Sequence, residues 1–125
     1  MRLLLDTQVV IWWFGVDSRL SPEAAAKIRE ADLVFVSAVS VWEIGIKAAL
    51  GKLKTPDDIE VRMQATNFAQ LPVSFAHARA AAKLPLHHRD PFDRMLIGQA
   101  SIENLMLVTA DALMQRYEIG ILAAD

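Results

Sequence analysis

At 125 residues, 54% hydrophobic and 22% charged, the chain has the size of one domain and enough apolar material for a packed core, which excludes a disordered chain. The lack of cysteine excludes disulfides, thiolate nucleophiles and thiolate-held metals, so any metal must be bound by oxygen or imidazole. With 13 basic and 15 acidic residues the net charge is −2, the wrong sign for a protein held to nucleic acid by bulk positive charge.

Met1-Arg2-Leu3-Leu4-Leu5 opens like a leader, but Asp6 cuts the apolar run far short of signal or membrane length. The expectation is a cytoplasmic protein with no membrane association. Leu3 to Leu5 reads instead as a strand buried on both faces, with Asp6 at its C-terminal end and Thr7 as a candidate cap for a following helix. Ser21-Pro22-Glu23 combines an N-cap, a proline and an early acid, and opens a helix to about Asp32.

Leu33 to Val36 is a second apolar run, followed by a helix from Ser37 or Ser40 to Leu50 that stops at Gly51. Glu43 falls in its first turns, and Val41, Ile44 and Ala48 share one of its faces. Further on, the pattern predicts a helix from about Pro56 to Phe68, a weak strand at Leu71 to Val73 and a helix from Phe75 to Lys83. Asp90-Pro91 opens another helix, reaching about Glu103, that turns Phe92, Leu96 and Ile97 toward the core. Met106 to Val108 is a strand leading to Thr109 and Asp111, and Ile119 to Leu122 is a weaker strand candidate. Such alternation implies one α/β domain over residues 1–125, with a mostly parallel sheet covered on both faces by helices.

In a parallel sheet the strand ends and the following helix beginnings share one rim, where ligands bind. Asp6 and Asp111 follow strands, while Glu43, Asp90 and Asp93 begin helices, so acids far apart in sequence converge. Clustered carboxylates repel one another and raise each other's pKa unless a cation joins them. Hard oxygen ligands without cysteine point to Mg²⁺ or Mn²⁺.

Each acid also has a local alternative. Asp90 before Pro91 is an N-cap, Asp93 an acid favoured by the helix dipole, Ser40 to Glu43 a capping box on paper, and Asp111 a cap for a short helix through Arg116. Only Asp6 lacks an equally good structural explanation.

Taken together, Leu3-Leu4-Leu5-Asp6-Thr7, Ser37 with Trp42-Glu43-Ile44, Asp90-Pro91-Phe92-Asp93-Arg94-Met95-Leu96-Ile97 and Val108-Thr109-Ala110-Asp111 resemble, in order and spacing, the PIN-domain nucleases. Bacterial VapC-type toxins are the nearest group. The resemblance covers nearly the whole chain and implies a Rossmann-like three-layer sandwich that cleaves RNA phosphodiester bonds with Mg²⁺ or Mn²⁺. It carries family acids onto Asp6, Glu43, Asp93 and Asp111, with Asp90 a further metal-ligand candidate, and site-supporting hydroxyls onto Thr7 and Thr109. Gly98 departs from the pattern, since Ala is usual there.

The resemblance also implies a homodimer neutralised by a small antitoxin protein. Trp12, Trp13, Phe14, Trp42 and Met63 are candidates for an apolar contact surface or for core. Lys47, Arg89 and Arg94 are the nearest candidates to meet substrate phosphates, with Lys52 and Lys54 following, against the alternative of solvated surface charges. His87 and His88 are adjacent and expected to point apart in a loop that contacts RNA or solvent, and His77 is expected to be structural. Two other functions stay open: a nuclease-like module that binds RNA or protein without cutting, and an aspartate-based phosphatase or phospho-acceptor using Asp6.

Overall fold

Leucines at three successive positions of the first strand serve opposite faces of a sheet, because side chains alternate along an extended backbone. In the computed structural model, which describes residues 1–53 and 58–125, that strand is β1 (Arg2–Leu5). The chain continues through α1 (Thr7–Phe14), α2 (Pro22–Glu30), β2 (Leu33–Ser37), α3 (Ala38–Ala49), α4 (Ile59–Ala65), β3 (Ala69–Leu71) and α5 (Phe75–Lys83). It ends with α6 (Pro91–Glu103), β4 (Met106–Thr109), a 3₁₀ turn at Met114–Arg116 and β5 (Ile121–Ala123). The five strands lie in the order β3-β2-β1-β4-β5 and every neighbouring pair is parallel.

Leu3 and Leu5 join Val9, Val10, Ile28, Val34 and Val108 on one side of the sheet, while Leu4 joins Leu96, Ile97 and Leu107 on the other. Both faces are thus sealed by helices, as the uninterrupted apolar runs require. The architecture is the three-layer α/β sandwich expected from the alternation.

Local chemistry explains most boundaries. Ser21 accepts the Ala24 N–H at 3.1 Å and Pro22 occupies the first helical position of α2. Gly51, at φ +70°, follows α3 in the left-handed conformation that terminates helices. Ser37 caps α3 by accepting the Val39 N–H at 3.1 Å. The capping box expected at Ser40 and Glu43 is therefore not formed: α3 starts earlier, and Ser40 shares a 2.8 Å hydrogen bond with Thr7 instead. Thr7 likewise does not cap α1 but is its first residue, with Asp6 at the N-cap position.

The weak strand candidates are displaced by two residues. β3 is Ala69–Leu71 rather than Leu71 to Val73, because Pro72 has no N–H to continue a ladder. β5 is Ile121–Ala123 rather than Ile119 to Leu122, paired with β4 from Leu107 opposite Ile121. The start expected for α4 near Pro56 lies outside the described residues.

Gly98 faces the backbone of α5 at close range. A Cβ placed there would lie 2.9 Å from the Ala81 backbone nitrogen and 3.0 Å from the His77 carbonyl oxygen. Main chain cannot yield as a flexible side chain can, so Gly98→Ala is expected to destabilise the protein by about 1 to 3 kcal/mol despite alanine's better helix propensity. Chemical denaturation checks this, and an unchanged midpoint would show that the two helices separate at little cost.

Candidate metal centre

The C-terminal ends of β1 and β4 are neighbours, so the residues that follow them meet. Thr109, fully buried at the end of β4, donates from Oγ1 to Asp6 Oδ2 at 2.7 Å and accepts the Asp111 N–H at 3.0 Å. One hydroxyl therefore fixes both strand-end acids. Thr7, next to Asp6, is bonded to Ser40 at 2.8 Å and ties α1 to α3, the helix that presents Glu43.

Glu43 is 4% exposed. Its Oε2 accepts from Lys47 Nζ at 2.6 Å, one helical turn on, while its Oε1 is buried with no hydrogen-bond partner among the described residues. Asp90 is the N-cap of α6, its Oδ1 accepting the N–H groups of Phe92 at 2.9 Å and Asp93 at 3.1 Å. Asp93 sits in the first turn of the same helix. Asp111 caps the turn toward Met114, its Oδ1 accepting the Leu113 N–H at 2.7 Å.

Capping and convergence are thus compatible: Asp90 and Asp111 cap local structure and also line the common cavity. That cavity, about 340 Å³, is bounded by Asp6, Thr7, Glu43, Lys47, Asp90, Asp93 and Asp111 together with Gln8, Ile11, Leu53 and Ala110. A larger cavity of about 550 Å³ near β3 and α4, lined by Val41, Met63 and Phe68 among others, contains none of the expected site residues.

Crowding shows in the acids' affinity for protons. Burial, above all, pushes the Asp6 carboxyl up; the Thr109 hydroxyl opposes this, and the charges of Asp111 and Glu43 add to it. Asp93 is pushed up to about 7, first by burial and then by the charges of Asp6 and Asp90, with His88 pulling the other way. Lys47 is held above the usual lysine range mainly by its bond to Glu43. An uncompensated group of carboxylates in a half-buried cavity is a cost that a cation relieves.

Several expected roles are revised. His88 does not point to solvent: its Nε2 is 2.8 Å from Asp93 Oδ2 and 3.2 Å from Asp111 Oδ2, while His87 packs edge-on against Tyr117 at 5.1 Å. Adjacent histidines carry no signal for this, because their spacing does not fix the direction of either ring, and here the chain turns at Leu86 and His87 just before His88. Arg94 does not reach into the cavity. Its guanidinium donates to the carbonyl oxygens of Ala81, Leu84, Pro85 and His88 at 2.9 to 3.1 Å. Arg89 is exposed and outside the cavity lining, as is Lys52, and Lys54 lies outside the described residues. Among the described residues, Lys47 alone of the expected phosphate contacts lines the cavity. His77 is structural: its Nδ1 accepts the Ser74 N–H at 3.0 Å and its Nε2 is 2.8 Å from Glu103 Oε2.

Among the apolar contact candidates, Trp12 and Phe14 are core, Trp13 packs against Phe68 at 5.7 Å, and Met63 lines the larger cavity. Trp42 is 63% exposed and lies edge-on to Phe92 at 5.2 Å.

A parallel five-stranded sheet with acids gathered at the carboxyl ends of its strands defines the class, and the sequence agrees: the PIN domain family model matches residues 3–120, so this chain belongs to the PIN domain family. The chain is 30% identical over 112 residues to Ribonuclease VapC22 of Mycobacterium tuberculosis, a match spanning 87% of this chain and 86% of that protein. Its fold is similar to VapBC2 from Rickettsia felis bound to a promoter DNA fragment, with a TM-score of 0.76, 13% identity and complete coverage of both chains. FitAcB from Neisseria gonorrhoeae follows at a TM-score of 0.70 and 19% identity, covering 98% of this chain and 97% of that one. A toxin-antitoxin complex from Klebsiella pneumoniae matches at a TM-score of 0.70 and 17% identity over 98% of both chains. Among the described residues no helix is long and apolar enough to cross a membrane.

Proposed function

We propose that this chain, one nuclease domain over residues 1–125, is a divalent-metal-dependent endoribonuclease and the toxin of a toxin-antitoxin pair. The observation that carries the reading is the meeting of Asp6, Glu43, Asp90, Asp93 and Asp111 in one cavity, with a buried Glu43 oxygen left without a partner. Kinship with Ribonuclease VapC22 supports RNA as the substrate class.

The donor set fits a hard cation. It is rich in carboxylate oxygen, and Asp6 and Asp93 both hold protons more tightly than ordinary aspartates, first because they are buried and then because neighbouring carboxylates repel their charge. Asp6, Glu43 and Asp93 would hold Mg²⁺ or Mn²⁺, with Asp111 and Asp90 at the edge of the site. Bound there, the ion supplies positive charge against the negative charge that develops on the phosphoryl oxygens. Thr109 orients Asp6 by donating to one of its oxygens, and the bond between Thr7 and Ser40 sets the spacing of α1 and α3. Lys47 keeps Glu43 in place and offers an ammonium to the RNA backbone at the rim of the cavity.

The similar solved structures include toxin-antitoxin complexes, which supports a small antitoxin protein as partner. The same reading makes the active form a homodimer in the cytoplasm. The decisive assay incubates purified protein with tRNA and ribosomal RNA, adding Mg²⁺ or Mn²⁺ and then a chelator. Cleavage is expected with either ion and none after chelation. Saturating ion is also expected to raise the melting temperature, since a ligand at 100 times its Kd adds about 2.7 kcal/mol. Cleavage that persists in chelator would remove the metal from the reaction.

A further inference from the structure

The loop between α5 and α6 is fastened more heavily than a connection needs. Arg94 grips it through the carbonyls of Leu84, Pro85 and His88, and Tyr117 donates from its hydroxyl to Pro85 O at 2.6 Å while accepting the His88 N–H at 2.8 Å. What this fastening delivers is the imidazole of His88, whose side chain is only 11% exposed.

The ring's hydrogen-bond pattern fixes its tautomer. Nδ1 accepts the Asp90 backbone N–H at 3.2 Å, so it carries no hydrogen. A neutral imidazole has one ring hydrogen, which must then sit on Nε2 and be shared between Asp93 Oδ2 at 2.8 Å and Asp111 Oδ2 at 3.2 Å. The same pattern argues against the ring as a metal ligand. A coordinating Nε2 would need its hydrogen moved to Nδ1, where it would collide with the N–H of Asp90.

We infer that His88 is a positioning residue of the acidic cavity, an N–H donor that clamps Asp93 of α6 to Asp111 of the β4 end and so sets their spacing for a cation. The inference rests on the metal-dependent reading above. Groups that orient metal-binding carboxylates without touching the ion matter because a ligand free to turn must be ordered by the binding event itself. His88 does this ordering beforehand, and it joins two acids that no other described side chain links.

Two substitutions separate the ring's nitrogens. His88→Asn can still accept the Asp90 N–H but is too short to reach the carboxylates, whereas His88→Gln reaches them with an amide N–H. Mn²⁺ binding to the full chain is measured by calorimetry at one fixed pH, alongside melting in chelator. His88→Asn is expected to weaken Mn²⁺ binding about 10- to 100-fold while melting in chelator close to wild type. His88→Gln is expected to bind close to wild type, and RNA cleavage is expected to fall in kcat rather than rise in KM for the Asn variant. Equal or tighter Mn²⁺ binding by His88→Asn would overturn the clamp and make His88 a competitor of the ion. Equal weakening by both variants would overturn donation and point to the ring itself as ligand. Absence of Mn²⁺ binding by the wild type is a different failure, since it removes the metal site before His88 enters.

Discussion

Replacing Asp93 with Asn is expected to lower metal-dependent RNA cleavage about 10²- to 10³-fold or more while stabilising the metal-free protein above pH 7. Both effects come from one property. In an unfolded chain this carboxyl titrates near 3.8, but burial and the charges of Asp6 and Asp90 hold it at about 7 in the folded protein. Between those values the folded state keeps a proton that the unfolded state has released. The group's favourable contribution is therefore complete below about pH 4, erodes as pH rises, and is gone above about pH 7. Asn carries no charge at any of these pH values, so the variant is spared the erosion.

Melting curves at pH 5 and pH 8 in chelator check the sign. At pH 8 the variant should exceed the wild type by about 2 kcal/mol, a figure reduced for the cavity's access to water. Saturating Mn²⁺ should reverse the order, because the ion stabilises only the protein whose carboxylates remain. A variant that keeps cutting RNA and melts lower at pH 8 would make Asp93 a structural acid and end the metal reading for it.

Arg94→Ala has the largest expected effect on stability, a loss of about 3 kcal/mol, or roughly 10 °C in melting temperature. The guanidinium satisfies carbonyls of the α5 end and of the loop that follows, and its planar fork is what lets one side chain reach four of them. Arg94→Lys should recover little, since one ammonium lacks that geometry. Because the charge is spent on the loop, the salt dependence of RNA binding should stay as in the wild type. A flattened salt dependence with an unchanged melting temperature would put Arg94 back among the phosphate contacts.

The central strands were readable because burial on both faces leaves an uninterrupted apolar run, as at Leu3 to Leu5 and Met106 to Val108. The edge strands were not placed to the residue, since β3 and β5 are three residues long and mix exposed with buried positions. α1 was visible only as a cap signal at Thr7; its Val9-Val10-Ile11-Trp12 core reads as strand by propensity, and packing against the sheet overrides that preference.

For the site, strand ends and helix starts were enough to bring Asp6, Glu43, Asp90, Asp93 and Asp111 to one rim. The basic residues fared differently. A side chain's charge is written in the sequence but its direction is not, so Arg94 could not be told from a phosphate contact, nor His88 from its solvent-facing neighbour. Gly98 is a further instance: its reason lies in the backbone of α5, 17 to 21 residues away in sequence at Ala81 and His77.

The order in which the sheet is assembled has a consequence for when the enzyme can act. β1 is made first but is flanked by β2 on one side and β4 on the other, and the Asp6 N–H is held by the Val108 carbonyl at 3.0 Å. A chain emerging from the ribosome therefore has no finished acidic pocket until β4 has been synthesised and docked, when Thr109 and Asp111 arrive together. Such long-range pairing delays maturation. Under the ribonuclease function proposed above, an unfinished polypeptide would carry no complete acidic cavity with which to cut RNA.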